Sequence, residues 1–405
     1  MNVIKEMKIE FSEPISRALN DLKFTELTAV QEQSIPVIRN GDDLVAQSRT
    51  GTGKTAAFAI PILERIDVSR PVVQALILTP TRELALQVGT DIQNLGKYTK
   101  SRVLIAYGGT GLEDQVRQLN SRNVQIVVGT PGRIMDLMSR GSLDISKLSF
   151  FVLDEADIML DMGFVRDVEK IISHAPNKKQ VLMFCVDFPE TVFNLAKRHM
   201  RYPKHVKLVS TDKSATGVVQ SFYPVRREEK LGVLVFLLRE LKPSKALIFC
   251  KTKRQVTRLT RQLDYNGIKA AGLQGDMTQP QRTRTMQAFK DDTISMLVAT
   301  DVAARGIQVD HISHIFNYEL PHDINYYIHR IGRTGRMYEV GEAITLCDSD
   351  ESRDLYLIEQ MIGKTIEQKE LPSHIPAPLM PPRGSSFGGN KSRRFGQSGR
   401  FQRRR

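Results

Sequence analysis

The chain has 405 residues and carries 58 Lys or Arg against 45 Asp or Glu, which gives a formal net charge of +13. This length accommodates two or three ordinary domains and excludes a small disulfide-stapled scaffold, and the positive charge favours polyanionic partners. No window of about 18 uninterrupted apolar residues occurs, and residues 1–13 lack the pattern of a secretion signal, so we expect a cytoplasmic protein with no membrane span.

Short apolar runs rich in β-branched residues alternate with segments of helical periodicity. The runs are bounded by Gly, Pro or polar residues, as buried parallel strands are. Four of them are residues 75–78, 124–128, 150–153 and 245–250. Segments with helical spacing, such as 82–97, lie between them. This alternation predicts an α/β fold of two tandem, doubly wound domains with parallel sheets, over residues 1–208 and 219–370, joined by a linker at 209–218.

A phosphate-binding loop is predicted between the apolar run 44–46 and the helical pattern that starts at Ala56. Its residues are Ser48, Arg49, Thr50, Gly51, Thr52, Gly53, Lys54 and Thr55. The glycines let several backbone N–H groups face the phosphates of a nucleotide at a helix N-terminus, Lys54 adds positive charge, and Thr55 supplies an oxygen to Mg²⁺. Ser48 stands where the usual pattern has Gly, so a Gly-rich turn without this role is the alternative.

Two adjacent carboxylates follow the run 150–153. Asp154 suits a phosphate-bound Mg²⁺ held through water, and Glu155 suits a base that orients and deprotonates an attacking water. The pair therefore favours hydrolysis over transfer to a substrate hydroxyl. An acidic surface turn is the alternative.

The three cysteines lie in apolar surroundings. Cys185, Cys250 and Cys347 have neighbours typical of buried strands, and their spacing is not that of metal ligands. We therefore expect a reducing compartment and no zinc site.

Three arginines recur at spacings of three in the second predicted domain. Arg330, Arg333 and Arg336 are accompanied by glycines that allow close backbone approach. Arg333 and Arg336 are predicted to deliver guanidinium charge to the γ-phosphate across a cleft, as arginine fingers, with a solvated basic turn as the alternative. A site divided in this way closes only when the nucleotide is bound.

The composition changes at about Leu371. Several prolines are followed by a segment rich in Gly, Ser and Arg, in which Phe387, Phe395 and Phe401 are interleaved with eight Lys or Arg and no acidic residue. We predict a disordered basic tail over residues 371–405 that binds RNA through phosphate contacts and base stacking. A merely solvating tail is the alternative.

The ordered set of motifs resembles that of the DEAD-box RNA helicases. The matching segments are residues 48–55, 80–84, 108–109, 130–133, 154–157, 247–250, 300–301, 304–306 and 329–336. The resemblance spans about residues 11–370. It implies two RecA-like domains, ATP hydrolysis with Mg²⁺ that RNA stimulates, and local duplex unwinding or remodelling of RNA–protein complexes.

The resemblance also assigns ligands to residues. Phe24 would stack on the adenine of ATP, Gln31 would bind its amino edge, and Gln308, in place of the family's Asp, would contact the ribose. The RNA-binding residues it implies are Pro80, Thr81, Arg82, Gly109, Thr130, Gly132, Arg133, Lys251, Gln279, Arg282 and Thr300. Backbone contacts of this kind bind RNA without reading its sequence. Ribosomal or mRNA-decay complexes are family-level partners, and a monomer is expected.

The chain departs from the family pattern where ATP use is coupled to RNA work. Cys185, Val186 and Asp187 replace the usual Ser-Ala-Thr, so two hydroxyls are lost, and Asp187 is expected to add negative charge near Asp154 and Asp157. This departure motivates an alternative function, an ATP-gated RNA clamp or RNA chaperone with weak unwinding. A DNA helicase or other two-domain translocase is the third hypothesis.

Overall fold

The computed structural model describes residues 9–48, 51–121, 123–208, 217–304, 309, 311–334 and 341–380. The predictions for Arg49, Thr50, Gln308 and Arg336, for linker residues 209–216 and for tail residues 381–405 lie outside these ranges. Among the helices of the described ranges, none is long and apolar enough to cross a lipid bilayer.

The first domain is built on a sheet of seven parallel strands. The strands are β1 (Leu44–Gln47), β2 (Ala75–Leu78), β3 (Val103–Ala106), β4 (Ile126–Gly129), β5 (Phe150–Asp154), β6 (Gln180–Cys185) and β7 (Lys204–Lys207). The helices are α1 (Glu13–Asp21), α2 (Ala29–Asn40), α3 (Lys54–Arg65), α4 (Arg82–Leu95), α5 (Leu112–Ser121), α6 (Pro131–Ser139), α7 (Ala156–Asp161), α8 (Val165–Ser173) and α9 (Glu190–His199). The strand order across the sheet is β3-β4-β2-β5-β6-β1-β7.

The second domain repeats this architecture with a second sheet of seven parallel strands. The strands are β8 (Val218–Pro224), β9 (Ala246–Phe249), β10 (Ala270–Leu273), β11 (Met296–Ala299), β12 (His314–Asn317), β13 (Gly341–Cys347) and β14 (Glu367–Gln368). The helices are α10 (Lys230–Leu241), α11 (Lys253–Tyr265), α12 (Gln279–Lys290), α13 (Asp301–Ala304), α14 (Asn325–Ile331) and α15 (Ser352–Ile362), with a 3-10 turn at Ser349–Glu351. The strand order is β10-β11-β9-β12-β13-β8-β14.

Each sheet is covered on both faces. Along β1, Leu44 and Ala46 pack into one hydrophobic cluster and Val45 into another, because successive side chains of a strand point to opposite faces. On β9, Leu247 and Ile248 likewise enter different clusters. Strands buried on both faces explain the continuous apolar runs of the sequence. The prediction of two doubly wound α/β domains is therefore confirmed.

The three cysteines are buried free thiols at or just after strand ends. Burial raises the pKa of the Cys185 and Cys250 thiols well above the ordinary value and that of Cys347 to about 11. Neutral thiols of this kind act as small apolar core groups.

The chain does not leave the second domain at Leu371. Leu371 and Ile375 pack against the cluster that joins α10 and α11 to the sheet. Asn266, at the end of α11, donates through Nδ2 to the Leu379 carbonyl at 2.9 Å and accepts from the Leu379 N–H at 2.9 Å. The prediction of a disordered tail from residue 371 is therefore wrong for residues 371–380, because Leu371 and Ile375 pack on the second domain and Leu379 is hydrogen-bonded to it.

Candidate functional site

The phosphate loop closes on itself between β1 and α3. Lys54, the first residue of α3, is 7% exposed, and its Nζ donates to the Ser48 carbonyl at 3.0 Å. The Ser48 and Thr52 hydroxyls lie 3.1 Å apart. Gly53 has φ +87°, a conformation that side-chain-bearing residues rarely adopt. The loop thus holds the Lys54 ammonium at the amino end of a helix, where an anion is stabilised.

Gln31 joins the start of α2 to this loop. Its Oε1 accepts from the Thr28 N–H at 3.0 Å, and its Nε2 donates to the Gly53 carbonyl at 3.1 Å. A Cβ added at Gly53 would collide with the Gln31 amide. Since an amide side chain has two hydrogens and two lone pairs on oxygen, one of each remains for a ligand.

The two predicted carboxylates stand at the carboxyl end of β5. Asp154 ends the strand, and Glu155 takes a left-handed conformation with φ 52°, which turns the chain sharply into α7. Burial raises the pKa of the Asp154 carboxyl to about 7, with Lys54 opposing the shift and Glu155 adding to it. Glu155 is 2% exposed, and its Oε2 has no hydrogen-bond partner among the described residues. Strained backbone and an unpartnered buried oxygen are typical of a functional site.

A cavity of about 370 Å³ brings these groups together. Its lining includes the predicted residues Phe24, Gln31, Gly51, Gly53, Lys54, Thr55, Asp154 and Glu155. It also includes Gln87, Asp91 and Asn94 of α4, which sequence reasoning missed. Their spacing placed them on one helical face, but only the packing of α4 beside α3 turns that face toward the cavity. Burial raises the pKa of Asp91 to about 6, and Lys290 of the second domain opposes the shift.

The predicted arginines divide into two roles. Arg330 is 2% exposed and binds Asp301 through Nε at 2.5 Å and Nη2 at 2.7 Å, with its guanidinium over the Phe249 ring. It is therefore an internal brace of the second domain. Arg333 lines a small cavity together with Ile158 of the first domain, so it lies where the two domains face each other.

The replaced segment after β6 keeps its connection to Asp157 through the backbone. The N–H groups of Val186 and Asp187 donate to Asp157 Oδ2 at 2.9 and 2.8 Å, so hydroxyls are not needed for this link. The Asp187 carboxylate points to the second domain, with Oδ2 at 3.8 Å from His329 Nε2. The expected charge of Asp187 near Asp157 therefore has a partner that the sequence did not reveal.

The RNA-binding residues predicted in the first domain differ in exposure. Arg82, Gly109 and Gly132 are exposed, Thr130 is half-buried, and Pro80, Thr81 and Arg133 are buried. The Arg133 guanidinium donates to Gln115 Oε1 at 2.8 Å and to the Thr110 carbonyl at 3.3 Å, so it supports the loop after β3 from inside.

The predicted residues of the second domain are all half-buried: Lys251, Gln279, Arg282 and Thr300. Two of them contact the first domain. Arg82 Nη1 lies 3.3 Å from Gln279 Oε1, and Arg282 Nε lies 2.8 Å from Glu83 Oε1. Arg82 of the first predicted set and Gln279 and Arg282 of the second therefore lie where the two domains meet. Lys251, by contrast, has its Nζ 3.2 Å from Glu351 Oε1 inside its own domain.

Known proteins match this architecture and these motifs. The model of the DEAD/DEAH box helicases matches residues 28–192, and that of the helicase conserved C-terminal domain matches residues 229–338. The ATP-dependent RNA helicase CshA of Listeria monocytogenes is 42% identical over 361 residues, which cover 89% of this chain and 69% of the relative. The chain belongs to the DEAD-box helicase family.

Solved structures of a yeast relative bear on the domain arrangement of this DEAD-box helicase. Dbp5 of S. cerevisiae bound to RNA and ADP BeF3 is 29% identical and has a TM-score of 0.80, with 91% of this chain and 96% of that chain covered. A Dbp5 variant bound to Nup159, a Gle1 variant, IP6 and ADP has a TM-score of 0.62, with 90% and 96% covered, at 30% identity. Both comparisons span both domains, and this chain superposes better on the RNA-bound Dbp5 than on that variant complex.

Proposed function

We propose that this chain hydrolyses ATP in the cleft between its two domains and uses the resulting closure and opening to unwind short RNA duplexes or remodel RNA–protein complexes. The observation that carries the proposal is the Glu155 carboxylate, buried with an unpartnered oxygen in the same cavity as Lys54. A buried base beside a cationic phosphate loop suits activation of a water molecule against a γ-phosphate.

Each group around the cavity has a role in this proposal. Phe24 stacks on the adenine, Gln31 binds its edge, and Lys54 with the loop N–H groups holds the phosphates. Asp154 and Thr55 would hold Mg²⁺, Asp154 through water, and the ion supplies positive charge to the phosphates. The residues fit this role, because the raised pKa of Asp154 reports a buried carboxylate that a cation would stabilise.

We propose a first domain at residues 1–208 and a second domain that starts with β8 at Val218 and includes residues 371–380, which pack on it. Arg333, and Arg336 outside the described residues, would add guanidinium charge to the γ-phosphate when the domains close. RNA would lie along the edge where Arg82 meets Gln279, held by its phosphates and 2′-hydroxyls without regard to sequence. One chain supplies both halves of the site, so we propose a monomer, and we propose cytoplasmic ribosomal or mRNA-decay particles as its setting.

The alternative, an RNA clamp with weak unwinding, lost part of its motivation. It rested on the missing hydroxyls at residues 185–187 and on Gln308, which lies outside the described residues. Two backbone N–H groups of the 185–187 segment bind Asp157. The unwinding function is therefore preferred.

The test compares the wild type with Glu155→Gln and with Glu190→Gln, which neutralises an exposed carboxylate of the same domain. RNA-stimulated phosphate release and separation of a short labelled duplex are measured together. We expect Glu155→Gln to lose at least about 100-fold in hydrolysis while retaining ATP-dependent RNA binding, and Glu190→Gln to behave as the wild type. Hydrolysis by Glu155→Gln at the wild-type rate would remove the proposed base.

A further inference from the structure

Asp187 and His329 face each other across the domain boundary. Asp187 follows β6 in the first domain, and His329 lies in α14 of the second; Asp187 Oδ2 is 3.8 Å from His329 Nε2. The Asp187 side chain is 62% exposed and that of His329 17%. The pair is therefore partly shielded from water, and only closure of the two domains brings its members together.

Both members are tied to groups of the ATP site. On one side, the Asp187 N–H donates to Asp157 Oδ2 at 2.8 Å, which links the segment to the carboxylate turn. On the other, the His329 carbonyl accepts from Arg333 Nε at 3.2 Å. A contact between Asp187 and His329 thus joins the turn that carries Glu155 to the arginine proposed to reach the γ-phosphate.

We propose that Asp187 is a positioning residue, whose ion pair with protonated His329 stabilises the closed arrangement of the two domains and sets Arg333 against the first domain. This inference rests on the proposed function. Ser-Ala-Thr, the segment that the family usually has here, carries no charge, so an ionisable link at this point is a property of this chain.

Charged groups of both signs lie around the pair. Among the described residues, Asp157 lies behind Asp187, and Arg333 and Arg330 lie beside His329, but the charge of Arg330 is matched by Asp301. The other groups near the ring are Tyr326, with ring centroids 6.1 Å apart, and the apolar Ile158 and Phe249. The Asp187 carboxylate, with Oδ2 at 3.8 Å from Nε2, faces the His329 ring from the first domain.

The link depends on pH, because imidazole gains a proton as the pH falls through the neutral range while an aspartate remains ionised. An ion pair between a carboxylate and an imidazole contributes to closure only in its charged form, so the contribution falls as the pH rises. A partly exposed pair is worth about two- to five-fold in an equilibrium constant. The RNA concentration that half-saturates ATP hydrolysis should therefore rise from about pH 6 to about pH 8 in the wild type.

The experiment measures the RNA concentration that half-saturates ATP hydrolysis and the rate of hydrolysis at saturating RNA. Both are measured at several pH values for the wild-type full chain and four single variants. Asp187→Asn removes the charge and keeps the backbone links to Asp157, Asp187→Glu restores the charge, and His329→Gln removes the partner. Glu190→Gln neutralises an exposed carboxylate three residues further along the chain. A double variant of Asp187→Asn and His329→Gln completes a mutant cycle.

We expect Asp187→Asn and His329→Gln each to raise the half-saturating RNA concentration about two- to five-fold near pH 6, to leave the saturated rate within about two-fold, and to have effects that do not add in the double variant. Asp187→Glu should restore the wild-type pH profile, and Glu190→Gln should not change it. Identical pH profiles for the wild type and Asp187→Asn, or additive effects, would overturn the inference. A wild type without RNA-stimulated hydrolysis would instead overturn the proposed function.

Discussion

Replacing Arg330 with Met tests whether this arginine stabilises the second domain from inside or takes part in catalysis. The side chain is 2% exposed and binds Asp301 twice, Asn317 Oδ1 at 3.1 Å and the Glu319 carbonyl at 2.6 Å. Met fills similar space over the Phe249 ring but leaves the Asp301 carboxylate without its partner. Removing one member of a buried ion pair costs about 3–5 kcal/mol.

Hydrogen exchange followed by mass spectrometry measures this cost in the full chain. Amides of β9 and β12 that exchange through unfolding of the second domain should exchange at least about 100-fold faster in Arg330→Met, because about 3 kcal/mol is a factor of that size. Strands β5 and β6 of the first domain serve as the internal reference. Arg261→Met, at an exposed position of α11, should leave the exchange of β9 unchanged.

One result would refute this reasoning. If β9 and β12 exchange as in the wild type while ATP hydrolysis is lost, Arg330 acts in the reaction and is not a brace.

Two further predictions concern the cavity. Gly53→Ala should weaken ATP binding at least about ten-fold in a fluorescent-nucleotide titration, because φ +87° is strained for Ala and the added Cβ would displace the Gln31 amide. The control is Gly41→Ala, which has a similar backbone strain at φ +90° but open space around the added Cβ. This variant should bind ATP normally. The raised pKa of Asp91, about 6 against 3.8, means that the folded state holds its proton more tightly, so this carboxyl lowers stability as the pH rises from about 4 to about 6. At about pH 7.5, Asp91→Asn should therefore have a free energy of unfolding about 1 kcal/mol higher than the wild type, after allowance for solvent screening, and a higher melting temperature. Near pH 4 this difference should disappear. An equal melting difference at both pH values would contradict the assignment.

Features with a local cause could be predicted from the sequence. Central strands such as β2, β4, β5 and β9 appear as short apolar runs because parallel strands buried on both faces need apolar side chains. The edge strands β7 and β14 are polar and have no such pattern. The phosphate loop and the pair Asp154 and Glu155 could be recognised because their chemistry depends on neighbours in the chain. The ordered motifs also identified the family.

Features that join distant segments required the tertiary structure. The composition of residues 371–380 is typical of a tail, yet these residues pack on the second domain through contacts with distant residues such as Asn266, which no periodicity reveals. Arg330 and Arg333 are three residues apart and look alike in sequence, but only the fold buries one against Asp301 and directs the other to the domain boundary. Asp187 and His329 lie in different domains, so the distance between their side chains follows from the arrangement of those domains. Local patterns set which elements form, whereas long-range packing decided which side chains meet.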